Sequence, residues 1–332
     1  MNSLPQPRGP VTEALFTGLR KPPGQLQAPS GTIDPEDLHL ALYCCYELHY
    51  RGFGGVDDTW EWDPSLLAFR GALEQRFESE LRELVGPPGE PPRPEEIDVA
   101  LRELMQADDA PSVSTYIERE ATAGQVLEFM VHRSAYQLKE ADPHSWALPR
   151  LWGKPKAAMV EVQSDEYGNG RADDIHAELF ARAMDAVGLD RTYGAYLEQI
   201  PSVTLATVNL MSLFGLHRRL RGAIVGHLAL FEMTSSVPNR RYASGLRRLG
   251  YDGDATLFFD VHVVADAVHE SVAAVDLAGG LAKQDPRLGA DVLWGARSLL
   301  AIDGRWARHM IDAWSNEASS LRAADAGALV LR

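Results

Sequence analysis

The chain has 332 residues, 45% of them hydrophobic, and a formal charge of −15. That length is enough for one large or two smaller cores, and the acidity argues against nucleic acid or an anionic membrane as principal partners. The two cysteines, Cys44 and Cys45, are adjacent and cannot staple distant segments. Nothing therefore points to an oxidising compartment. With neither a signal-peptide run nor a stretch of about 18 apolar residues, the expectation is a soluble cytoplasmic protein.

Residues 1–30 are punctuated by Pro5, Pro7, Pro10, Pro22 and Pro23 and hold few aliphatic clusters, a composition that predicts a loosely ordered arm. Asp34-Pro35 reads as the N-cap and first residue of a helix to about residue 50. This helix contains Glu36-x-x-His39, the spacing of di-iron carboxylate bundles. Placed in the first turn beside a cap, the pair reads instead as a solvated helix start. A second helix is predicted from Pro64 to Leu84, stopped by the Pro-rich linker at 86–94, and a short one follows over 95–107.

Ser112 or Ser114 opens a long amphipathic segment to Glu140, on which Glu128 shares a stripe with Gly124, Val131, Ala135 and Leu138. A helix over 156–170 ends in Asp165-Glu166-Tyr167-Gly168-Asn169-Gly170, and Asp173 or Asp174 starts the next. There His176 shares a face with Leu179, Phe180 and Ala183. Residues 202–214 are apolar nearly all round, as a central buried helix would be, with Gly215 as its stop. The helix from about Leu220 carries Glu232 on a stripe with Val225, Leu228 and Ala229, and Pro238 should kink or break it. Asp285-Pro286 caps a last long helix to Asn316. No well-bounded alternating run of β-branched residues occurs, so the fold class is all-α. The expected organisation is a flexible arm at 1–30, an N-terminal helical extension at 31–110, a main domain at 111–320 and a tail at 321–332.

The most informative stretch runs from Phe258 to Glu270. His262, Asp266 and His269 are spaced i, i+4 and i+7, which places them on one helix face, in line with Phe258 before them and Val272 and Ala273 after. A polar triplet on a core-facing stripe must be satisfied, because unpaired buried polar groups cost several kcal/mol. Metal ligation would do this, as would histidines bridging within a wet interior. Together with Glu128, Glu166, Glu232 and His176, the chain offers four carboxylates and three imidazoles on inward faces. This exceeds the needs of one tetrahedral zinc and suits iron or manganese.

The run from Asp165 to Gly170, followed by His176, Glu232 and His262-x-x-x-Asp266-x-x-His269, resembles the ligand pattern of the haem-oxygenase-like di-iron oxidases and oxygenases. That family includes proteins labelled iron-containing redox enzymes, and the resemblance covers roughly residues 110–315. It implies a haem-oxygenase-like bundle of about seven core helices with the first 110 residues as an extension. It also implies that Glu166, His176, Glu232, His262, Asp266 and His269 bind two iron ions, manganese being an alternative metal, with Glu128 matching an additional first-helix carboxylate. Haem is not expected, since no distinct proximal histidine stands on the early helix and carboxylates crowd where a macrocycle needs apolar walls.

The implied activity is O2-dependent oxidation of a small carboxylate or amine, by C–H abstraction, oxidative C–C cleavage or N-oxygenation. A homodimer and an external electron donor are compatible with it. Two other readings stay open: a cofactorless or quinone-handling oxidase on a related helical fold, and a non-catalytic helical scaffold. Two further features bear on a substrate. Thr207, Asn209, Met211 and Phe214 could wall a pocket or be plain core. The arginines at 218, 219, 221, 240, 241, 247 and 248 could attract an anion or simply complement helix ends.

Overall fold

The computed structural model describes residues 2–323, except for the side chains of residues 265–268. Among them the secondary structure is entirely helical. The N-terminal layer is formed by α1 (Pro10–Leu19), α2 (Pro35–Glu47), α3 (Pro64–Val85) and α4 (Ile97–Ala107). Then come α5 (Val113–Arg119), α6 (Ala123–Gln137), the single turn α7 (Asp142–Ser145), α8 (Gly153–Glu166) and α9 (His176–Ala186). The rest is α10 (Ser202–Leu216), α11 (Arg221–Met233), α12 (Ser236–Arg248), α13 (Asp254–Ser271), a π-helical segment Val272–Gly279, α14 (Gly280–Gln284) and α15 (Leu288–Ser315).

The arm expected to be loose over 1–30 carries an ordered helix instead. Within α1, Val11, Leu15, Phe16 and Leu19 fall on one face and are buried. Burying such side chains stabilises by roughly 1.5–3 kcal/mol each, enough to outweigh a proline-rich composition. The helix start is held by Asp37 of α2, whose carboxylate accepts from Val11 N and Thr12 N at 2.8 Å each. The arm is thus part of the fold. The Pro-rich linker also packs: Trp294 Nε1 donates to Gly86 O at 2.9 Å. Most of the tail expected at 321–332 lies outside the described residues.

The segment expected to be continuous from 112 to 140 is two helices. Thr122 opens α6 with a reciprocal cap, Gln125 N donating to Thr122 Oγ1 at 3.3 Å and Thr122 N to Gln125 Oε1 at 2.9 Å. Such a capping box supplies partners for the free N–H groups of a helix start. The predicted interruption near Pro238 is present: α11 ends at Met233 and α12 begins at Ser236. Gly215 stands at the end of α10, one residue before its last, Leu216. An added Cβ there would meet Pro143 O at 2.5 Å.

The core is organised on α11 and α15, which cross with their backbones in contact. A Cβ at Gly226 would lie 1.8 Å from Val292 O. A side chain there would force the helices apart, so glycine is required by the crossing rather than by backbone conformation. Packed around this pair are α10, which also meets α2, and α13, which also contacts α9 and α12. Asn209, Met211 and Phe214 belong to this general core, with Thr207 half-buried, and Asn209 Nδ2 donates to His39 O at 2.9 Å.

Candidate metal centre

Five of the predicted residues converge between α8, α9, α11 and α13. Glu166 is the last residue of α8, and Gly168, with φ of 62°, turns the chain immediately after it. A Cβ there would also strike Asp174 backbone at 2.6 Å. This bend returns the chain so that His176, the first residue of α9, faces Glu166: His176 Nδ1 lies 2.8 Å from Glu166 Oε2 and 3.2 Å from His262 Nε2. The ring of His262 is fixed on its other side by Nδ1 donating to Phe258 O one turn back, at 2.8 Å. Two turns along α13, His269 Nδ1 lies 3.5 Å from Glu232 Oε2 of α11, and its Nε2 lies 3.5 Å from Asp165 Oδ2.

A sixth member, Glu140, was not singled out by sequence reasoning. It follows α6 in a turn whose next residue, Ala141, has φ of 71°, a left-handed conformation that costs a non-glycine residue about 1 kcal/mol or more. Gln163 Nε2 holds that turn by donating to Ala141 O at 2.8 Å. Glu140 Oε1 accepts from Gln137 Nε2 at 3.2 Å and lies 3.8 Å from His262 Nε2. Written as Lys139-Glu140 at the end of a helix, the residue resembles an ordinary solvated charge. No periodicity could identify it.

Glu128, by contrast, is not brought to the cluster. Its Oε2 accepts from Trp314 Nε1 and Ser320 N at 2.9 Å each and from Ser320 Oγ at 2.6 Å. It is held at the end of α15 by these three hydrogen bonds. The carboxylate that this segment does bring to the cluster is Glu140, in the turn that follows α6. Asp266 lies outside the described side chains. Glu36 and His39 also stay apart from the cluster: Glu36 binds Arg8 at 2.8 Å, and His39 is buried rather than solvated.

The donor atoms form two overlapping groups, each with all its members within 4.8 Å of one another: Glu140, Glu166, His176 and His262 in one, Glu166, Glu232 and His269 in the other. Glu166 belongs to both. All six residues are buried. A void of about 10 Å³, bordered by Glu140, Glu166, Glu232 and His262, lies among them, with Tyr136, His144 and Phe231 closing it on the apolar side. Glu166 Oε2 and His269 Nδ1 make no hydrogen bond of acceptable geometry despite their near neighbours. Buried lone pairs converging on an ion-sized void form a mixed oxygen and nitrogen set that fits iron.

The electrostatics agree with this fit. Burial, with His176 adding, pushes His262 down to about 4, so its imidazole is neutral as ligation requires. Burial alone would lower His269 too, but Glu232, then Glu166 and Asp165, bring it up to about 9. Glu232 is raised by burial and by the charge of Glu166. Burial would raise Glu166 as well, yet His176, His262 and His269 outweigh it and hold its carboxyl low. The proton on His269 thus compensates the neighbouring carboxylates of Glu232 and Glu166.

The arginines read as a basic cluster are largely committed to the fold. Arg219 binds Glu78 at 2.6 Å, and Arg247 binds Asp260 at 2.5 Å. Arg248 donates to the carbonyls of Ile117, Glu118 and Ala121. A cavity of about 460 Å³ lies remote from the cluster beside Glu47 and Tyr193, whose polar atoms bond to each other at 2.7 Å. Another, of about 260 Å³, opens directly from Glu140 and His262. No helix among the described residues is long and apolar enough to cross a membrane.

A family model described as "iron-containing redox enzyme" matches residues 127–304, more than half of the chain and all six clustered residues. A nitrosourea synthase of Streptomyces achromogenes subsp. streptozoticus is 30% identical over 138 residues. That match covers 41% of this chain and 29% of the relative. The chain therefore spans under a third of the length of that protein.

Proposed function

This chain belongs to the haem-oxygenase-like family of iron-containing redox enzymes, and from that premise we propose that it is an O2-dependent non-haem di-iron oxidoreductase. The observation that carries the reading is the position of Glu166 in two donor groups at once. A carboxylate shared between two sets is what a pair of ions needs as a bridge, and one mononuclear site in the larger group would leave Glu232 and His269 without a purpose. Glu140, His176 and His262 would hold one ion, and Glu232 and His269 the other. When bound, two ferrous ions supply the electrons that reduce O2 and so drive oxidation of a substrate.

The protein's own groups set the conditions for that chemistry. The Phe258 carbonyl fixes the tautomer of His262, since Nδ1 must carry the proton it donates, leaving Nε2 free toward the cluster. Glu232 and His269 exchange a proton for a metal as the site loads. Tyr136 and Phe231 exclude bulk water from the inner side. The cavity bordered by Glu140 and His262 admits the substrate, a small carboxylate or amine. A nitrosourea contains oxidised nitrogen, so the similarity to a nitrosourea synthase supports N-oxygenation among the outcomes, beside C–H abstraction and C–C cleavage.

Anaerobic loading with ferrous iron, followed by rapid mixing with O2, tests the proposal. Close to two irons per chain are expected, with a transient visible absorbance whose decay quickens in the presence of the substrate. Failure to retain iron, or turnover of an ester or phosphate with zinc or manganese, would replace this reading by a metallohydrolase.

A further inference from the structure

The side chain of His39 on α2 is only 6% exposed and stands edge-on to Phe77, the ring centres 4.9 Å apart. Asn209 sets its tautomer: Nδ2 of the amide donates to His39 O at 2.9 Å and lies 3.4 Å from His39 Nδ1. An amide nitrogen only donates, so Nδ1 is the acceptor and Nε2 carries the ring proton. Among the described residues, Nε2 has no hydrogen-bond partner. Burial, with Arg305 adding, brings His39 down to about 4, so the ring is neutral at pH 7. This ring borders a cavity of about 180 Å³ between α2, α3, α10 and α15, walled by Phe77, Leu81, Leu84, Val203, Ala206 and Ile302. Glu80 and Arg305, both exposed, stand at its edge with opposite charges. An apolar void and an unsatisfied buried N–H each cost stability, and one ligand would relieve both.

We propose that this cavity binds a compact, uncharged ring compound whose single carbonyl-type oxygen accepts a hydrogen bond from His39 Nε2. The size follows from the volume: an apolar cavity of about 150 Å³ accommodates a benzene ring, so about 180 Å³ takes one ring with a short substituent. The polarity follows from the tautomer, since the buried end offers a donor and calls for an acceptor. A carboxylate there would meet only a neutral donor to offset its desolvation, and the edge presents both signs, so neither end selects a net charge. The site does not depend on the redox reading. None of its lining residues belongs to the metal cluster or to the cavity beside it. The two cavities share α15 as a wall, Ile302 and Arg305 bordering this one and Leu299 and Asp303 the other.

Three probes of similar shape test the proposal on the full chain: acetophenone, α-methylstyrene, in which a methylene replaces the oxygen, and benzoate, which adds a charge. Affinities are read by NMR titration and by the shift in melting temperature. Acetophenone should bind, and more tightly than benzoate. His39→Leu should lower the affinity for acetophenone relative to α-methylstyrene by about tenfold, the equivalent of one neutral hydrogen bond. Ala206→Leu, which fills the cavity and leaves His39 in place, should abolish binding of both, with far-UV helicity unchanged. Should His39→Leu not fold, the nitrogen shift of His39 Nε2 in histidine-labelled wild-type protein takes its place, and it should move further with acetophenone than with α-methylstyrene. The proposal is overturned if acetophenone does not bind, if benzoate binds as tightly, if the ratio of the two neutral probes survives His39→Leu or the two displace the Nε2 shift equally, or if binding survives Ala206→Leu.

Discussion

Lys139 Nζ donates to Glu47 Oε2 at 2.9 Å, and both side chains are almost completely buried. Glu47 ends α2 in the N-terminal layer, whereas Lys139 immediately precedes Glu140 at the cluster. Tyr193 donates to the same carboxylate, and the rings of Tyr43 and Tyr50 lie 4.7 and 4.4 Å from the ammonium. Through this pair the N-terminal layer holds the turn that carries Glu140.

Breaking that pair should therefore be felt at both ends. Glu47→Ala leaves a buried ammonium uncompensated, and a loss of about 3–5 kcal/mol is expected from urea denaturation. Glu47→Ala combined with Lys139→Met should recover much of it. Equal losses in the single and double variants would show that the pair contributes nothing of its own.

Iron content should sort the clustered residues by position. Glu166→Ala is expected to abolish loading altogether because Glu166 serves both donor groups, while His269→Ala should leave close to one iron per chain with helicity nearly intact. Metal analysis after anaerobic reconstitution and desalting measures both. Identical stoichiometry in the two variants would remove the special place given to Glu166.

Replacing Glu128 by Ala should separate stability from loading. Its carboxylate accepts three hydrogen bonds from Trp314 and Ser320, so a cost of about 1–3 kcal/mol is expected, with iron content unchanged. A drop in iron equal to that of a Glu140→Ala variant would restore Glu128 to the site.

The apoprotein should lose stability on mild acidification. Burial brings His132 down to about 3, with His309 adding, and brings His39 down to about 4, with Arg305 adding. Each binds a proton near 6.5 when unfolded but remains neutral when folded. Their contribution is complete above about 6.5 and is lost as the pH falls toward 4 and then 3, at up to about 1.4 kcal/mol per pH unit for each imidazole. His132→Gln should flatten the fall in melting temperature between pH 6.5 and 4. An unchanged slope would mean that this imidazole is protonated in the fold.

Periodicity carries the all-α class and most helix positions, because side chains three and four apart share a face whatever the rest of the chain does. By itself, the sequence thus determined the inward direction of His176, Glu232, His262 and His269, as well as the bend after Glu166, where Gly168 adopts positive φ. It could not determine which inward carboxylates meet. Glu128 and Glu140 lie on the same stretch, yet only a capping box at Thr122 and a strained turn at Ala141, held by Gln163 from another helix, send Glu140 to the cluster and Glu128 to Trp314. Order in the first 30 residues depended likewise on Asp37 and on a groove beside α2 that composition cannot reveal. Helix faces are local properties of a chain. The convergence of donors from five segments on one void is set by helix crossings such as Gly226 against Val292, and these exist only once the helices are packed.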